Sequence, residues 1–393
     1  MVSDVSEYDD AVLAEREDRD ALRRVAGLST ELTDISEVEY RQLRLEQVVL
    51  VGVWTTGTAE QAQRSLAELA RLAETAGSQV LDAFVQRRDK PDAATFVGSG
   101  KAAELKQTVA ALGADTVICD GELTPGQLQQ LEKVLGVKVV DRTWLILDIF
   151  AQHARSREGK AQVALAQMNY MLPRLRGWGD AMSRQAGGIG TRGPGETKIE
   201  TDRRRIRARV AKLRRELAAM GTAREVARAS RRRSHVPSVA IVGYTNAGKS
   251  SLLNRLTKAG VLVQDGLFAT VDPTVRKART PSGREFTLSD TVGFVRHLPH
   301  QLVESFRSTI EEAAEADLLL HVVDGSSDAP AEQIAAVREV LDDVGAANVP
   351  ELIVINKSDV ADPEVLADIR RENRHVVTVS ALTGEGVDEL LTA

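Results

Sequence analysis

Residues 238–256 read SVAIVGYTNAGKSSLLNRL. An apolar run leads into G-x-x-x-x-G-K-S, and a helix-forming run follows at once. This order predicts a buried strand, a phosphate-cradling loop and a helix whose positive N-terminal end faces the loop. The stretch commits its part of the chain to an α/β sheet with the strand's carboxyl end at the loop. Gly243 and Gly248 let backbone N–H groups close around phosphates, with Tyr244, Thr245, Asn246 and Ala247 forming the loop between them. Lys249 is expected to neutralise the β/γ charge, and Ser250 to ligate Mg²⁺. The spacing alone arises by chance in other proteins; its strand–loop–helix setting makes it specific.

Two further motifs follow in the order a guanine-nucleotide switch requires. In LSDTVGF (288–294) an apolar strand ends at Asp290, forty residues past Ser250, and Thr291 and Val292 lead to Gly293. Asp290 is expected to hold Mg²⁺ through water, and the Gly293 N–H to meet the γ-phosphate. ELIVINKSD (351–359) is a buried strand ending in Asn356, Lys357, Ser358 and Asp359. A carboxylate at Asp359 can accept from both the ring N–H and the exocyclic amine of guanine. Adenine presents no such donor pair, so it leaves a buried polar group unpaired. After HVVTV, the residues Ser380, Ala381 and Leu382 can offer a backbone N–H to the guanine oxygen. Alone, D-x-x-G or N-K-x-D is an ordinary turn; in this order, each at a strand end, they point to GTP and GDP. LFATVDPT (267–274) supplies two candidate switch threonines, Thr270 and Thr274.

Upstream, residues 46–142 alternate strand and helix patterns. QVVLVGVW reads as a buried strand, and TAEQAQRSLAELARLAETAG as a helix with Thr58 as N-cap and Gly77 near its end. More strands are expected at 79–86, 95–97, 116–119 and 137–140, with a helix opened by LTPGQLQQLEKVL. VGSGK (97–101) looks like a phosphate loop but lacks the spacing and the following Ser/Thr, so a structural glycine turn is favoured. Residues 1–45 are acidic and poor in aromatics, and read as a mobile tail with a short amphipathic helix near 12–28. From 143 to 235 the pattern becomes long helices, with Leu165, Met168, Leu172 and Leu175, then Ile206, Val210, Leu213, Leu217 and Met220, at spacings of three and four. Two such stripes joined by a Gly-rich tip loop, 184–195, indicate an antiparallel hairpin. Pro237 ends it, and the second α/β domain runs from 236 to 393.

Charge singles out the hairpin. The chain carries a net −6, yet residues 151–233 hold 21 Lys/Arg against 7 Asp/Glu, a net +14, leaving −20 for the rest. A basic segment in an acidic protein fits a polyanionic partner for that segment alone, ahead of a merely solvated helix. The tip packs five glycines and Pro194 into 187–195. Small residues allow close approach to RNA, so Gly187, Gly188, Gly190 and Gly193, with Arg184, Arg192, Arg203, Arg204 and Arg205, are the candidate RNA contacts. The N-terminus has no apolar core for a signal peptide, and the longest apolar runs, such as 317–323, are too short to span a bilayer. A single cysteine, Cys119, suits a reducing cytoplasm.

On DGELTPGQL, DRTWLILDIFAQHARSREGKAQVALAQMNYMLPRLRG, SRQAGGIGTRGPGETKIETDRRRIR, GYTNAGKS, LFATVDPT and DTVGFVRHLPHQLVESFRSTIEEA, the chain resembles the HflX family of ribosome-associated GTPases, within the Obg-HflX-like superfamily of TRAFAC GTPases. The likeness runs from about residue 46 to the end. It implies a cytoplasmic, monomeric GTPase that binds the large ribosomal subunit and its rRNA, and splits, rescues or regulates ribosomes under stress. The hairpin tip would probe the peptidyl-transferase region. The family's F-A-T-x-D assigns the Mg²⁺ threonine to Thr270, with Phe268, Ala269, Val271 and Asp272 as further switch I nucleotide contacts. GEGVDELLTA breaks off part-way through an expected final helix, which reads as a shortened C-terminus.

Many GTPases orient the attacking water with a glutamine just after D-x-x-G; here that position is Phe294, so slow intrinsic hydrolysis is expected, with Lys249 and Gly293 as the catalytic groups. By resemblance, Asn246 is a candidate K⁺ ligand that would compensate. Arg296 and His297 lie close to switch II. Two other classes stay open: a regulatory GTPase acting on a protein partner, and a general RNA-binding GTPase.

Overall fold

Both sheets are predominantly parallel, as apolar strands alternating with helices require. The computed structural model of the chain describes residues 46–185, 194–233, 236–257, 266–272, 274–296 and 312–393. The expected acidic tail 1–45, as well as Gly187, Gly188, Gly190, Arg192, Gly193 and His297, lie outside these residues. Two units divide the chain. One extends to Leu145 and includes Met168–Lys212; the other holds Ile146–Gln167 and Leu213–Ala393.

In the first unit the order is β1 (Glu46–Trp54), α1 (Ala59–Thr75), β2 (Ser78–Arg87), α2 (Ser99–Leu112), β3 (Thr116–Asp120), α3 (Pro125–Leu135) and β4 (Lys138–Asp141). The four strands form one parallel sheet in the order β2-β1-β3-β4. Val48–Val51 of β1 are buried on both faces, which explains the unbroken apolar run. Thr58 caps α1 with a reciprocal box: the Gln61 N–H donates to Thr58 Oγ1 (3.2 Å) and the Thr58 N–H to Gln61 Oε1 (3.1 Å). Thr124 and Gln127 do the same for α3, with Pro125 in its first turn.

The expected strand at 95–97 is absent. Asp92 instead gathers the N–H groups of Ala94 (2.9 Å) and Thr95 (2.8 Å) into a turn, and Phe96 takes a left-handed φ of 61°. The VGSGK turn is structural: Arg88 Nη1 donates to Val97 O at 3.0 Å and occupies the space beside Gly98. At the carboxyl ends of β3 and β4 the carboxylates are paired internally. Arg142, 2% exposed, bridges Glu68 and Asp120. Arg174 donates to Leu123 O (2.7 Å) and to Asp141 (3.4 Å).

The helical segment contains α4 (Arg142–His153), α5 (Arg157–Gln185) and α6 (Pro194–Arg233). The helices extend further than the 184–195 loop expected from glycine density. Arg184 belongs to α5, and Pro194 and Gly195 open α6, where the fixed φ of proline suits a first helical position. Ile206, Val210 and Leu213, spaced four and three apart, are buried on α6, whereas Arg204 is exposed and Arg203 and Arg205 are half-buried.

The second unit carries β5 (Ser238–Gly243), α7 (Lys249–Thr257), β6 (Thr274–Arg279), β7 (Glu285–Asp290), β8 (Leu318–Asp324), α8 (Pro330–Asp343), β9 (Glu351–Asn356), α9 (Pro363–Glu372), β10 (Val376–Thr378) and α10 (Val387–Thr392). Its six-stranded sheet runs β10-β9-β8-β5-β7-β6, with β6 antiparallel to β7 and the rest parallel. The motif residues therefore gather where the carboxyl ends of β5, β7, β8, β9 and β10 meet one edge.

Candidate nucleotide site

The loop after β5 is shaped by its glycines. Gly243 has φ 147°, and a Cβ there would lie 2.2 Å from Val322 O. Gly248 has φ 89°, and a Cβ there would meet Asn356 Nδ2 at 2.2 Å. Asn246 is left-handed at φ 59° and exposed, a conformation asparagine tolerates. The loop borders a cleft whose walls include Thr245, Lys249, Ser250, Ala269, Thr270 and Gly293.

Lys249 reaches back across this loop, donating to Gly243 O at 3.0 Å and Tyr244 O at 2.7 Å. It is 6% exposed, and burial pulls its pKa down to about 8, against the nearby Asp290 charge that raises it. Ser250 Oγ donates to Asp290 Oδ2 at 2.7 Å and lies 2.7 Å from Thr270 Oγ1. Asp290 is fully buried, which pushes its carboxyl pKa up, while Lys249 and hydrogen bonds from Ser250, Thr270 and Thr291 pull it down. Asp290 Oδ1 is buried with no hydrogen-bond partner among the described residues. Three hard oxygens with one carboxylate and one unspent lone-pair site suit Mg²⁺, which keeps waters and phosphate oxygens in its shell. Of the two threonines, Thr270 joins this cluster, while Thr274 opens β6 and pairs in register with Asp290.

Switch II is laced to the loop. The Thr245 N–H donates to Phe294 O (2.7 Å) and the Phe294 N–H to Gly243 O (3.2 Å), a parallel bridge between Tyr244 and Phe294. The Phe294 ring is 1% exposed, so its side chain serves the core. Thr291 Oγ1 donates to Ile241 O at 2.7 Å, and Val292 is buried beside it. A Cβ on Gly293 would meet Thr245 Cγ2 at 2.7 Å and Lys249 Nζ at 3.0 Å, so only glycine lets the backbone come this close.

The base-reading motif is tied to the same loop. Asn356 Nδ2 donates to Ala247 O (2.8 Å), and its Oδ1 accepts from the Ala381 N–H (2.9 Å). Ser380 Oγ donates to Asp359 Oδ1 at 2.6 Å, orienting the carboxylate. Lys357, left-handed at φ 62°, donates to Asp324 Oδ2 at 2.6 Å, and Ser358 N to Val379 O at 3.2 Å. Leu382 is 80% exposed, so the Ser380–Leu382 loop opens to solvent.

One expected nucleotide contact stands apart. The Asp272 carboxylate is taken by the N–H groups of Arg155 (2.8 Å) and Ser156 (2.7 Å) and by the Ser156 hydroxyl, as helix-initiating N–H groups attract an anion. Phe268 and Val271 are buried in the same switch I segment. Two supports join segments distant in the sequence. Arg255 of α7 donates to Ala381 O (3.1 Å) and Leu382 O, and the Arg296 N–H to Tyr244 Oη (2.7 Å). Their partners lie 52 to 127 residues away.

Three family descriptions match the chain in succession: GTP-binding GTPase N-terminal over residues 63–151, GTP-binding GTPase Middle Region over 153–231, and 50S ribosome-binding GTPase over 238–357. Among curated relatives, GTPase HflX of Lacrimispora saccharolytica is 49% identical over 92% of this chain and 84% of its own length. The chain belongs to the HflX family of GTPases. GTPase HflX of Escherichia coli is 46% identical over 88% of this chain and 82% of its own length. Among solved structures, the complex of SsGBP with GDP is 26% identical, with a TM-score of 0.49, covering 88% of this chain and 97% of that one. As an HflX-family member with a P-loop GTPase domain, the chain binds guanine nucleotide and hydrolyses GTP.

Proposed function

We propose that this HflX-family GTPase is a γ-phosphate-gated factor that binds the large ribosomal subunit and splits, rescues or silences ribosomes under stress. The observation that carries the reading is the net +14 over residues 151–233, set in an acidic chain and formed by two long helices flanking a glycine-rich stretch. A match to a family described as 50S ribosome-binding GTPase supports it. Cytoplasmic action as a monomer is part of the proposal. Among the described residues, no helix is long and apolar enough to cross a membrane.

In this reading the loop 243–250 wraps the phosphates, and Lys249 turns from the Gly243 and Tyr244 carbonyls toward the β- and γ-oxygens. Ser250, Thr270 and Asp290 would hold Mg²⁺, which supplies charge neutralisation at the phosphates. Thr270 and the Gly293 N–H read the γ-phosphate, while Phe268, Ala269 and Val271 shape the switch around it. Asn356, Asp359 and the 380–382 loop read guanine. Phe294 offers no hydrogen bond to water, so hydrolysis is slow until help arrives. K⁺ held by Asn246 is one source, and docking of switch II on the subunit is another. Arg184, Arg192, Arg203, Arg204 and Arg205 meet rRNA phosphates, with Gly187, Gly188, Gly190 and Gly193 allowing the close approach.

Purified large subunits test the reading. They should raise the GTP turnover rate at least about tenfold at low salt, and the gain should fall steeply as salt rises. Equal stimulation by unrelated structured RNA would favour a general RNA-binding GTPase. No stimulation by either would favour a protein-directed one.

A further inference from the structure

The helical segment matched as the middle region begins beside switch I, and the two share one carboxylate. Asp272 Oδ2 accepts from the Arg155 and Ser156 N–H groups, and Oδ1 from Ser156 Oγ. Ser156 Oγ in turn accepts the Gly159 N–H at 2.8 Å, the capping bond of α5. A second contact lies four residues earlier on switch I. The Phe268 ring packs edge-on against Phe150 of α4, with centroids 4.6 Å apart. Phe268 is left-handed at φ 58° and 1% exposed, a backbone state that surrounding packing must hold. Between these two anchors sits Thr270, whose hydroxyl reaches the Ser250–Asp290 cluster.

We infer that Asp272 is a positioning residue, and that its docking on the first turn of α5 ties the state of switch I to that helix. Gly159 has ordinary helical backbone, so no left-handed turn requires glycine there. A Cβ on it would lie 2.0 Å from Asp272 Oδ1 and 3.1 Å from Ser156 Oγ. The glycine is the seat into which the carboxylate fits. When GTP draws Thr270 inward, the latch holds Asp272 against Arg155–Gly159 and protects those amides. When the γ-phosphate leaves, switch I loosens and the first turn of α5 loses its anion. The middle region is thereby coupled to the nucleotide through the chain's own residues. The inference rests on the assignment of Thr270 above.

Gly159→Ala is the sharpest test, because alanine favours helix and the change touches no nucleotide-facing group. Hydrogen exchange is followed on the full chain with MgGDP or a non-hydrolysable MgGTP analogue, together with both affinities. The wild type should protect the 155–160 amides more with the analogue than with GDP. Gly159→Ala and Asp272→Ala should each erase that difference and weaken the analogue about tenfold, the scale of one charge-assisted bond, with GDP affinity within about twofold. Equal protection in both wild-type states, or an unchanged analogue-to-GDP affinity ratio in Gly159→Ala, would overturn the inference. Thr270→Ala is read separately: if the analogue still binds at full strength, the Thr270 assignment fails on its own account.

Discussion

In the proposed site, base preference and pH response each rest on one residue. Asp359, whose Oδ1 accepts from the Ser380 hydroxyl, is the residue proposed to read guanine. Asp359→Asn replaces one acceptor by a donor. GTP affinity should fall by about 2 kcal/mol, roughly thirtyfold, and xanthosine triphosphate, with a carbonyl where guanine has its amine, should bind better than GTP. Competition binding checks this; an unchanged base preference would remove Asp359 from the role. Lys249 has its pKa depressed to about 8 by burial. Between about pH 8 and its ordinary value the unfolded chain holds more protons, so the nucleotide-free protein gains stability as pH rises through that window. Phosphates favour the charged amine, so GTP binding should take up a proton above pH 8, and affinity should fall with rising pH there. Calorimetry at pH 8.5 in two buffers of different ionisation enthalpy measures the uptake. Its absence would show that Lys249 is already charged before GTP arrives.

At the level of elements, local chemistry made much of the fold legible. Thr58 and Thr124 marked their helices through capping boxes that need only residues three apart. Gly243 and Lys249 marked a loop through one strand–helix junction. Reading failed where a residue's preference competed with its neighbours. The β-prone Thr95–Val97 lost to the Asp92 turn, and the glycines of 184–195 masked helix ends that Pro194 could have signalled. The stretch 186–193 lies in the chain between the end of α5 at Gln185 and the start of α6 at Pro194. Replacing it with a short neutral turn should leave GTP binding and basal hydrolysis within about twofold, because the site is built from another unit. Ribosome stimulation should be largely lost. Full stimulation in that variant would make the tip a connector only.

At the level of the whole molecule, what the sequence could not display is pairing between distant segments. The motifs named each strand end of the second unit, yet nothing in Asp272 reveals that it docks 116 residues away on Ser156. Nor does Arg255 announce that it carries the Ala381 carbonyl. Such contacts depend on how the sheet order β10-β9-β8-β5-β7-β6 brings loops together, which periodicity does not encode. The charge asymmetry, by contrast, is legible in full: the excess positive charge falls on the helical segment, while the nucleotide motifs lie at the sheet edge. In the proposed function the nucleotide at one controls binding at the other. Co-sedimentation with purified large ribosomal subunits, with MgGDP or a non-hydrolysable MgGTP analogue across rising salt, tests it most directly. Binding is expected with the analogue, at least about tenfold weaker binding with GDP, and a steep loss with salt. Equal association in both nucleotide states, or none in either, would contradict it.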